Sequence, residues 1–273
     1  MIKILKIIIQ KLIEKFYLLP FNHDKPSTVN HEIDGKRVSF ICLGRKSRNR
    51  SLIAFYKEPD TMSWIDSFNT ESSFLDIGSN IGMFSIYAAK KKKCRVYSIE
   101  PSINSNYIFL LNIGNNDLNH KVTLYQVLLS NKNTDMRFET SSPNNNLNNL
   151  HGLRPRNVIN NLNSEYSYQK DYANYTLLTS KLDQINFDDA IENVKIDVDG
   201  NEMQLLEGAT EFFYQKNINS VMVELDEKDK NYKKILEFFY NHNFKRDFRF
   251  SSLTKISEDE VSKVYNHYFY RNE

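Results

Sequence analysis

A short apolar strand that runs directly into a glycine-containing turn constrains the fold of this chain more than any other sequence feature. The strand is FLDI at 74–77, Gly78 and Gly82 lie in the turn, and the helical stretch that follows ends in lysines, which suit the negative end of a helix dipole. The alternation continues with a strand at 95–99, a helix through 107–113 and a strand at 122–129. Strands that alternate with helices in this way predict a parallel sheet flanked by helices.

The second half of the chain repeats the alternation. An apolar strand at 194–198 leads into a helix at 202–216, and a strand at 220–225 leads into a helix at 232–240. Two further strands are expected in the tail, near 244–250 and 265–270. The pattern predicts an α/β fold: a doubly wound, mostly parallel sheet with an antiparallel edge strand.

The segment before this domain, residues 1–57, is expected to form an extension, and residues 58–273 the main domain. Apolar residues recur at helical spacing in 1–19, but lysines interrupt them at four positions, so the segment predicts an amphipathic helix and not a membrane span. This helix either packs on the domain or on a second copy of the chain, or contacts a membrane surface. The Asp34-Gly35 turn predicts a β-hairpin within 29–57.

An asparagine-rich stretch at about 139–172 interrupts the regular pattern. It has no apolar period and is interpreted as an insertion, either a flexible loop or a cover over the substrate.

Charge and cysteine content exclude several classes of protein. Lys and Arg total 36 against 34 Asp and Glu, so the net charge of +2 argues against a strongly electrostatic nucleic-acid binder. The basic run at 45–50 is interpreted as a solvated loop. Two cysteines, Cys42 and Cys94, cannot form a disulfide scaffold, which favours a reducing, cytoplasmic compartment.

The first chemical motif is the turn after the 74–77 strand, D-I-G-S-N-I-G. Gly78 allows an unusual backbone angle and Gly82 allows close packing, while the first helical amides can bind polar ligand groups. Asn80 takes the place of the second glycine of a dinucleotide-binding motif. Asp76 before the turn suits a ligand with a positively charged amine. Glu100 ends the next strand, where a carboxylate can accept both ribose hydroxyls of a nucleoside.

The second motif is K-I-D-V-D-G-N-E at 195–202. Asp197 and Asp199 alternate with apolar residues, so their carboxylates share one side of the strand end. That arrangement is typical of a metal site, a general base or a group that orients a substrate hydroxyl, whereas Asp199 and Glu202 could instead cap the next helix. Glu224, at the end of the following strand, should converge on the same edge. Lys195 is expected one residue off the carboxylate side, as a charge partner only.

Taken together, the blocks DIGSNIGMFSIYAAK, RVYSIEPS, VKIDVDGNEMQLLEGA and VMVELDE resemble the FkbM-type methyltransferases, a family of class I, S-adenosylmethionine-dependent enzymes. The resemblance spans about residues 58–244. It implies a Rossmann-like, seven-stranded sheet whose last strand is antiparallel, S-adenosylmethionine as cofactor, and O-methylation as the reaction. It further implies a cofactor loop of Asp76, Gly78, Ser79, Asn80 and Gly82, ribose binding by Glu100, an adenine border that includes Val127 and Leu128, and a methyl-transfer site at Asp197.

The sequence therefore favours an O-methyltransferase that acts on a hydroxyl of a small molecule or a sugar or glycan precursor, as in polysaccharide biosynthesis. Asp197 is the leading catalytic base, and Glu224 and Glu202 are supporting candidates. An alternative is a metal-dependent glycosyltransferase in which Asp197 and Asp199 hold a divalent cation, and another is a non-catalytic module that retains the fold. No nucleic-acid partner is expected. A cytoplasmic protein, with residues 1–19 touching the inner membrane face, fits this interpretation.

Overall fold

The computed structural model describes residues 26–140, 154–155, 173–198, 200–250 and 264–271. The predicted helix at 1–19, Asp199 and most of the asparagine-rich stretch lie outside these residues. No helix within them is long and apolar enough to cross a membrane.

A seven-stranded sheet forms the centre of the described chain. Its strands are β3 (Ser73–Ile77), β4 (Arg95–Ile99), β5 (Val122–Tyr125), β10 (Asn193–Ile196), β11 (Ser220–Asp226), β12 (Lys245–Asp247) and β13 (Val264–Tyr270). They lie in the order β12-β13-β11-β10-β3-β4-β5. Strands β10, β11, β3, β4 and β5 pair in parallel, and β13 pairs antiparallel with both of its neighbours. The predicted doubly wound, mostly parallel α/β sheet is confirmed.

The sequence predicted that the antiparallel strand would lie at the edge of the sheet, and this detail is wrong. β13 inserts between β11 and β12, because its two sides pair with Ser220–Asp226 and with Lys245–Asp247. The edge strand is therefore β12, which is shorter than the predicted strand at 244–250.

Helices cover both faces of the sheet, which explains why β3 and β10 are buried along their whole length. One face packs against α5 (Glu202–Glu207), α6 (Thr210–Tyr214) and α7 (Tyr232–Asn241), with Leu205, Phe213 and Phe239 in its core. The other packs against α2 (Pro59–Asp66), α3 (Met83–Lys91) and α4 (Ile103–Asn115), with Trp64, Ile86 and Phe109 in its core.

The chain continues from β3 toward β4 on one side, whereas β10 lies on the other, so the switch point of the sheet lies between β3 and β10.

The described part of the extension contains the predicted hairpin, β1 (Ser27–Ile33) and β2 (Lys36–Cys42). Val38 and Phe40 are fully buried in the core on the α4 side of the sheet. Asn116, just after α4, accepts a hydrogen bond from Ser39 N at 2.9 Å and donates one to Ser39 O at 2.8 Å, so its amide pairs with the open edge of β2. The hairpin does not extend to residue 57, since α1 (Arg45–Lys57) takes up that stretch and the basic run at 45–50 is its first half, not a loop. A domain boundary at residue 57 stays a prediction.

A second, four-stranded sheet, ordered β6-β9-β7-β8, follows β5 and was not expected. The predicted strand at 122–129 leaves the main sheet after Tyr125, and its last residues form β6, which pairs with β9 instead. The four strands are β6 (Leu128–Leu129), β7 (Asp135–Thr140), β8 (Arg154–Pro155) and β9 (Ala173–Ser180). The described residues within the asparagine-rich stretch, 139–140 and 154–155, thus belong to a sheet.

The predicted helix at 202–216 is broken into α5 and α6 at Gly208 and Ala209. Gly208 lies against the end of β6, where a Cβ atom would stand 2.1 Å from Ser130 O. Asp183 accepts a hydrogen bond from Phe212 N at 2.8 Å in the first turn of α6. Contacts with distant segments therefore separate the two helices.

Replacing Gly208 by alanine should destabilise the protein by about 1–3 kcal/mol, because the added methyl group clashes with backbone that cannot move independently. Gly114→Ala is the matched control: a methyl group added there would meet no atom within 4 Å, and alanine in a helix should stabilise by up to about 1 kcal/mol. Urea unfolding of both variants measures the difference. Equal stability of the two variants would contradict the close packing of β6 on α5.

Candidate active site

The turn after β3 is held between the ends of its two neighbouring strands. Gly78 N and Ser79 N both donate to Ile99 O at the end of β4, at 2.8 and 3.2 Å. On the other side, Asp197 N donates to Ile77 O at 3.0 Å. Gly78 has a φ of +82°, and a Cβ atom there would lie 1.9 Å from Asp197 O. Only glycine allows this close approach, so the turn, Glu100 and Asp197 meet at the carboxyl edge beside the switch point.

Glu100 is fixed by backbone amides. Its Oε2 accepts from Asn80 N at 2.9 Å and its Oε1 from Ser102 N at 2.8 Å, and Asn80 has the positive φ of 52° that this turn requires. Burial raises the pKa of Glu100 to about 7, against the opposing effect of these two hydrogen bonds. A carboxylate oxygen has more than one lone pair, so each oxygen can accept a further hydrogen bond from a ligand.

Several buried polar atoms around Glu100 have no hydrogen-bond partner among the described residues. They are Ser79 Oγ and Asn80 Oδ1 in the turn and Ser105 Oγ and Asn106 Oδ1 in the first turn of α4. Buried polar atoms normally have partners, so these are available to a ligand. Hydroxyl and amide oxygens of this kind pair with the hydroxyl and amine groups that S-adenosylmethionine carries. Ser105 and Asn106 were not foreseen, although their place just after Glu100 at a helix start was a signal.

Val127 and Leu128 follow β5 at this same edge. Tyr125 O, at the end of β5, accepts from Glu100 N at 3.1 Å, and Leu128 begins β6. Their expected contact with adenine stays a prediction.

Asp76 lies beneath the turn and not at its open side. The residue is only 1% exposed, and its Oδ2 accepts a 2.5 Å hydrogen bond from Ser85 Oγ. Burial raises the pKa of Asp76 to about 6, opposed by the attraction of Lys195. The expected contact between Asp76 and a ligand amine also stays a prediction.

Lys195 and Asp197 form an ion pair at the end of β10. Lys195 Nζ lies 2.7 Å from Asp197 Oδ2 and 3.6 Å from Glu58 Oε2. The expectation that Lys195 lies off the carboxylate side was wrong, because residues two apart in a strand share a face. Although burial alone would lower the pKa of Lys195, attraction to Asp197, Glu58 and Asp76 raises it. Glu58 was not recognised in the sequence, which gives no signal that this residue reaches the site.

Glu224 and Glu202 lie at the same edge of the sheet as Asp197. Ile196 pairs with Val223, so Glu224 takes the same place on β11 that Asp197 takes after β10. Glu202 begins α5, and its Oε1 accepts from Gly200 N at 3.0 Å. Burial, together with the negative charges of Asp229 and Asp197, raises the pKa of Glu202 to about 7, against the opposing effect of hydrogen bonds from backbone amides.

The metal hypothesis concerned Asp197 and Asp199. Asp199 is not described, and a cation at Asp197 would have to compete with the Lys195 ammonium. Within the described ranges, no group of three or more His, Cys, Asp or Glu residues could hold a metal ion.

Comparison with known proteins places this site within a family. The chain matches the methyltransferase FkbM domain over residues 76–250, well over half of its length, which includes the turn, Glu100, Asp197 and Glu224. Among curated proteins, the comparison finds no match.

Similar solved structures include M. jannaschii TYW2 in complex with AdoMet, at 14% identity and a TM-score of 0.46, covering 93% of this chain and 90% of that one. Precorrin-6y C5,15-methyltransferase from Geobacter metallireducens is 11% identical with a TM-score of 0.42, covering 79% of this chain and 86% of that one. M. capricolum TrmK, in complex with S-adenosyl-homocysteine, is 14% identical with a TM-score of 0.41, covering 78% and 68%. These three similarities are low, and the family match alone assigns the chain.

That match and the arrangement of the turn agree with the resemblance seen in the sequence blocks, so the chain belongs to the FkbM methyltransferase family and is an S-adenosylmethionine-dependent methyltransferase.

Proposed function

We propose that this methyltransferase acts on a hydroxyl group of a small molecule or of a sugar or glycan precursor. The observation that carries the proposal is the position of Asp197. Its side chain is 27% exposed and is paired with Lys195. The residue follows β10 and lies directly beside the turn at 78–82, which we call the cofactor turn. A carboxylate held there can orient an acceptor hydroxyl toward the cofactor and receive its proton.

The chemistry asks little of the protein. Bound S-adenosylmethionine supplies a methyl sulfonium, which is already a strong electrophile. The residues of the chain position the acceptor oxygen and remove its proton. Asp197 is the leading base, and Glu202 supports it because a pKa of about 7 is well matched to proton transfer near neutral pH. Glu224 is a further candidate for holding the acceptor.

Charge at this edge supports a small acceptor over a nucleic acid. Glu202 at the start of α5 and Glu224 near the end of β11 form, with Asp197, a group of carboxylates at this edge. Such a group repels a phosphate backbone, whose binding depends on lysine and arginine contacts. A role in polysaccharide biosynthesis is consistent with this proposal.

The proposed compartment is the cytoplasm, with residues 1–19 in contact with the inner membrane face. Cys42 and Cys94 are buried free thiols, which is in keeping with a reducing compartment.

Affinity for S-adenosylmethionine should fall by up to about tenfold per pH unit below pH 7. Protonation of Glu100 removes the carboxylate charge that strengthens its hydrogen bonds from the ribose hydroxyls. Titration calorimetry between pH 8 and pH 5.5 measures the change. Glu100→Gln should bind more weakly at pH 8 and lose most of this pH dependence, which separates Glu100 from Asp76 and Glu202. A pH-independent affinity in the unaltered protein would contradict the role of Glu100.

Asp197→Asn should lower the methyl-transfer rate by about 10²- to 10⁴-fold, the range expected when a general base is lost, while S-adenosylmethionine still binds. The assay follows S-adenosylhomocysteine release with panels of sugars, nucleotide sugars and small alcohols. Glu207→Gln is the matched control, since this exposed carboxylate contacts Asn131 at the far end of α5. Release of S-adenosylhomocysteine with RNA alone would reject the proposed acceptor class.

A further inference from the structure

A buried charge cluster lies under the cofactor turn. We define it as Glu58, Asp76, Lys195 and Asp197. Lys195 is 1% exposed and contacts the carboxylates of Asp197 and Glu58, while Asp76 stands beside it in register on β3. When its three carboxylates are ionised, the cluster carries two negative charges in excess of its one ammonium.

The charge cluster touches the cofactor turn from two sides. Asp76 comes two residues before Gly78, and the Asp197 carbonyl packs against Gly78 itself. Phe84, in the first turn of the helix that follows the cofactor turn, has its ring centroid 4.8 Å from Lys195 Nζ. A ligand held by the turn therefore lies within the electric field of these charges. Because the charges are largely buried, dissolved salt screens them only weakly.

Glu58 is contributed from outside the matched segment of 76–250. It directly precedes α2, where its Oε2 accepts a hydrogen bond from Thr61 Oγ1 at 2.9 Å and lies 3.5 Å from Asn266 Nδ2 on β13. These contacts aim a buried carboxylate toward Lys195. They also fix the third negative charge of the cluster, which residues within the matched segment do not supply.

We propose that the charge cluster makes this site prefer the cationic methyl donor over its neutral product. Before transfer, the sulfonium of S-adenosylmethionine is attracted by the excess negative charge. Transfer would break the bond from sulfur to the methyl carbon, leave its electron pair on sulfur and form a bond from the methyl carbon to the acceptor oxygen, whose proton would pass to Asp197. The S-adenosylhomocysteine left behind has no charge on sulfur, so the attraction ends and release of the product is favoured.

The ratio of the two affinities tests this proposal, which goes beyond the proposed acceptor chemistry and needs no acceptor. Calorimetry at pH 8, above the pKa of about 6 to which burial raises Asp76, gives the Kd for S-adenosylmethionine and for S-adenosylhomocysteine. Glu58→Gln and Asp197→Asn should each lower the preference for S-adenosylmethionine by about three- to tenfold, because each removes one negative charge near the sulfonium. Affinity for S-adenosylhomocysteine should change much less.

Asp188→Asn is the matched control. It removes the same charge from a carboxylate that is 83% exposed near Arg95, at the start of β4 and thus at the opposite edge of the sheet, so the ratio should not change. A purely structural disturbance lowers the affinity for both ligands by the same factor and leaves the ratio of the two affinities unchanged. An unchanged ratio in a folded Asp197→Asn protein overturns the proposal even if Glu58→Gln does not fold. Failure of the acceptor proposal gives a different result: the ratio shifts as expected, and no hydroxyl compound is methylated.

Discussion

The close approach of Gly78 to the carbonyl oxygen of Asp197 is the contact on which the candidate site depends. It requires a residue without Cβ at a positive φ, and it allows β3 to end level with β10 while Gly78 N still bonds to the end of β4. The ends of three strands that are neighbours in the sheet, β10, β3 and β4, are thereby joined by backbone hydrogen bonds. The turn after β3, Glu100 and Asp197 all take their positions from these bonds.

Burial at this edge raises the pKa of several carboxyl groups, and each is stabilised in a different way. Glu100 accepts two backbone hydrogen bonds, Asp76 accepts one from Ser85 and faces Lys195, and Glu202 accepts one from Gly200. Buried carboxylates without such contacts would be protonated near neutral pH. The site therefore holds negative charge where a cationic cofactor can offset it, and the ammonium of Lys195 keeps that charge from becoming too costly.

Local patterns predicted the parallel strands and the glycine turn after β3 because the residues concerned report on their own environment. Apart from Asp76 and Lys195, the residues at 74–77 and 194–196 are apolar since both faces of those strands are covered, and Glu100 stands out as an acidic residue at a strand end. Lys195 could not be interpreted in this way, because a lysine in a strand normally indicates exposure and its burial depends on Glu58, far away in sequence. The break at Gly208 and the departure of residues 128–129 into a second sheet have the same origin, since each is caused by a contact with a distant segment.

One buried asparagine connects the hairpin of the extension to the turn after β3. Asn112 on α4 accepts a hydrogen bond from Ile41 N of the hairpin at 2.7 Å and donates one to Ile81 O of the cofactor turn at 3.0 Å. One turn of helix earlier, the ring of Phe109 fills the space where a Cβ atom of Gly82 would lie. Helix α4 thus connects the hairpin to the turn along its middle and presents Ser105 and Asn106 to Glu100 at its start. Because a buried amide without a partner is costly, displacing the hairpin would leave Asn112 unsatisfied and loosen the turn. The matched segment that begins at residue 76 therefore relies on residues before it both for the shape of its turn and, through Glu58, for part of its charge.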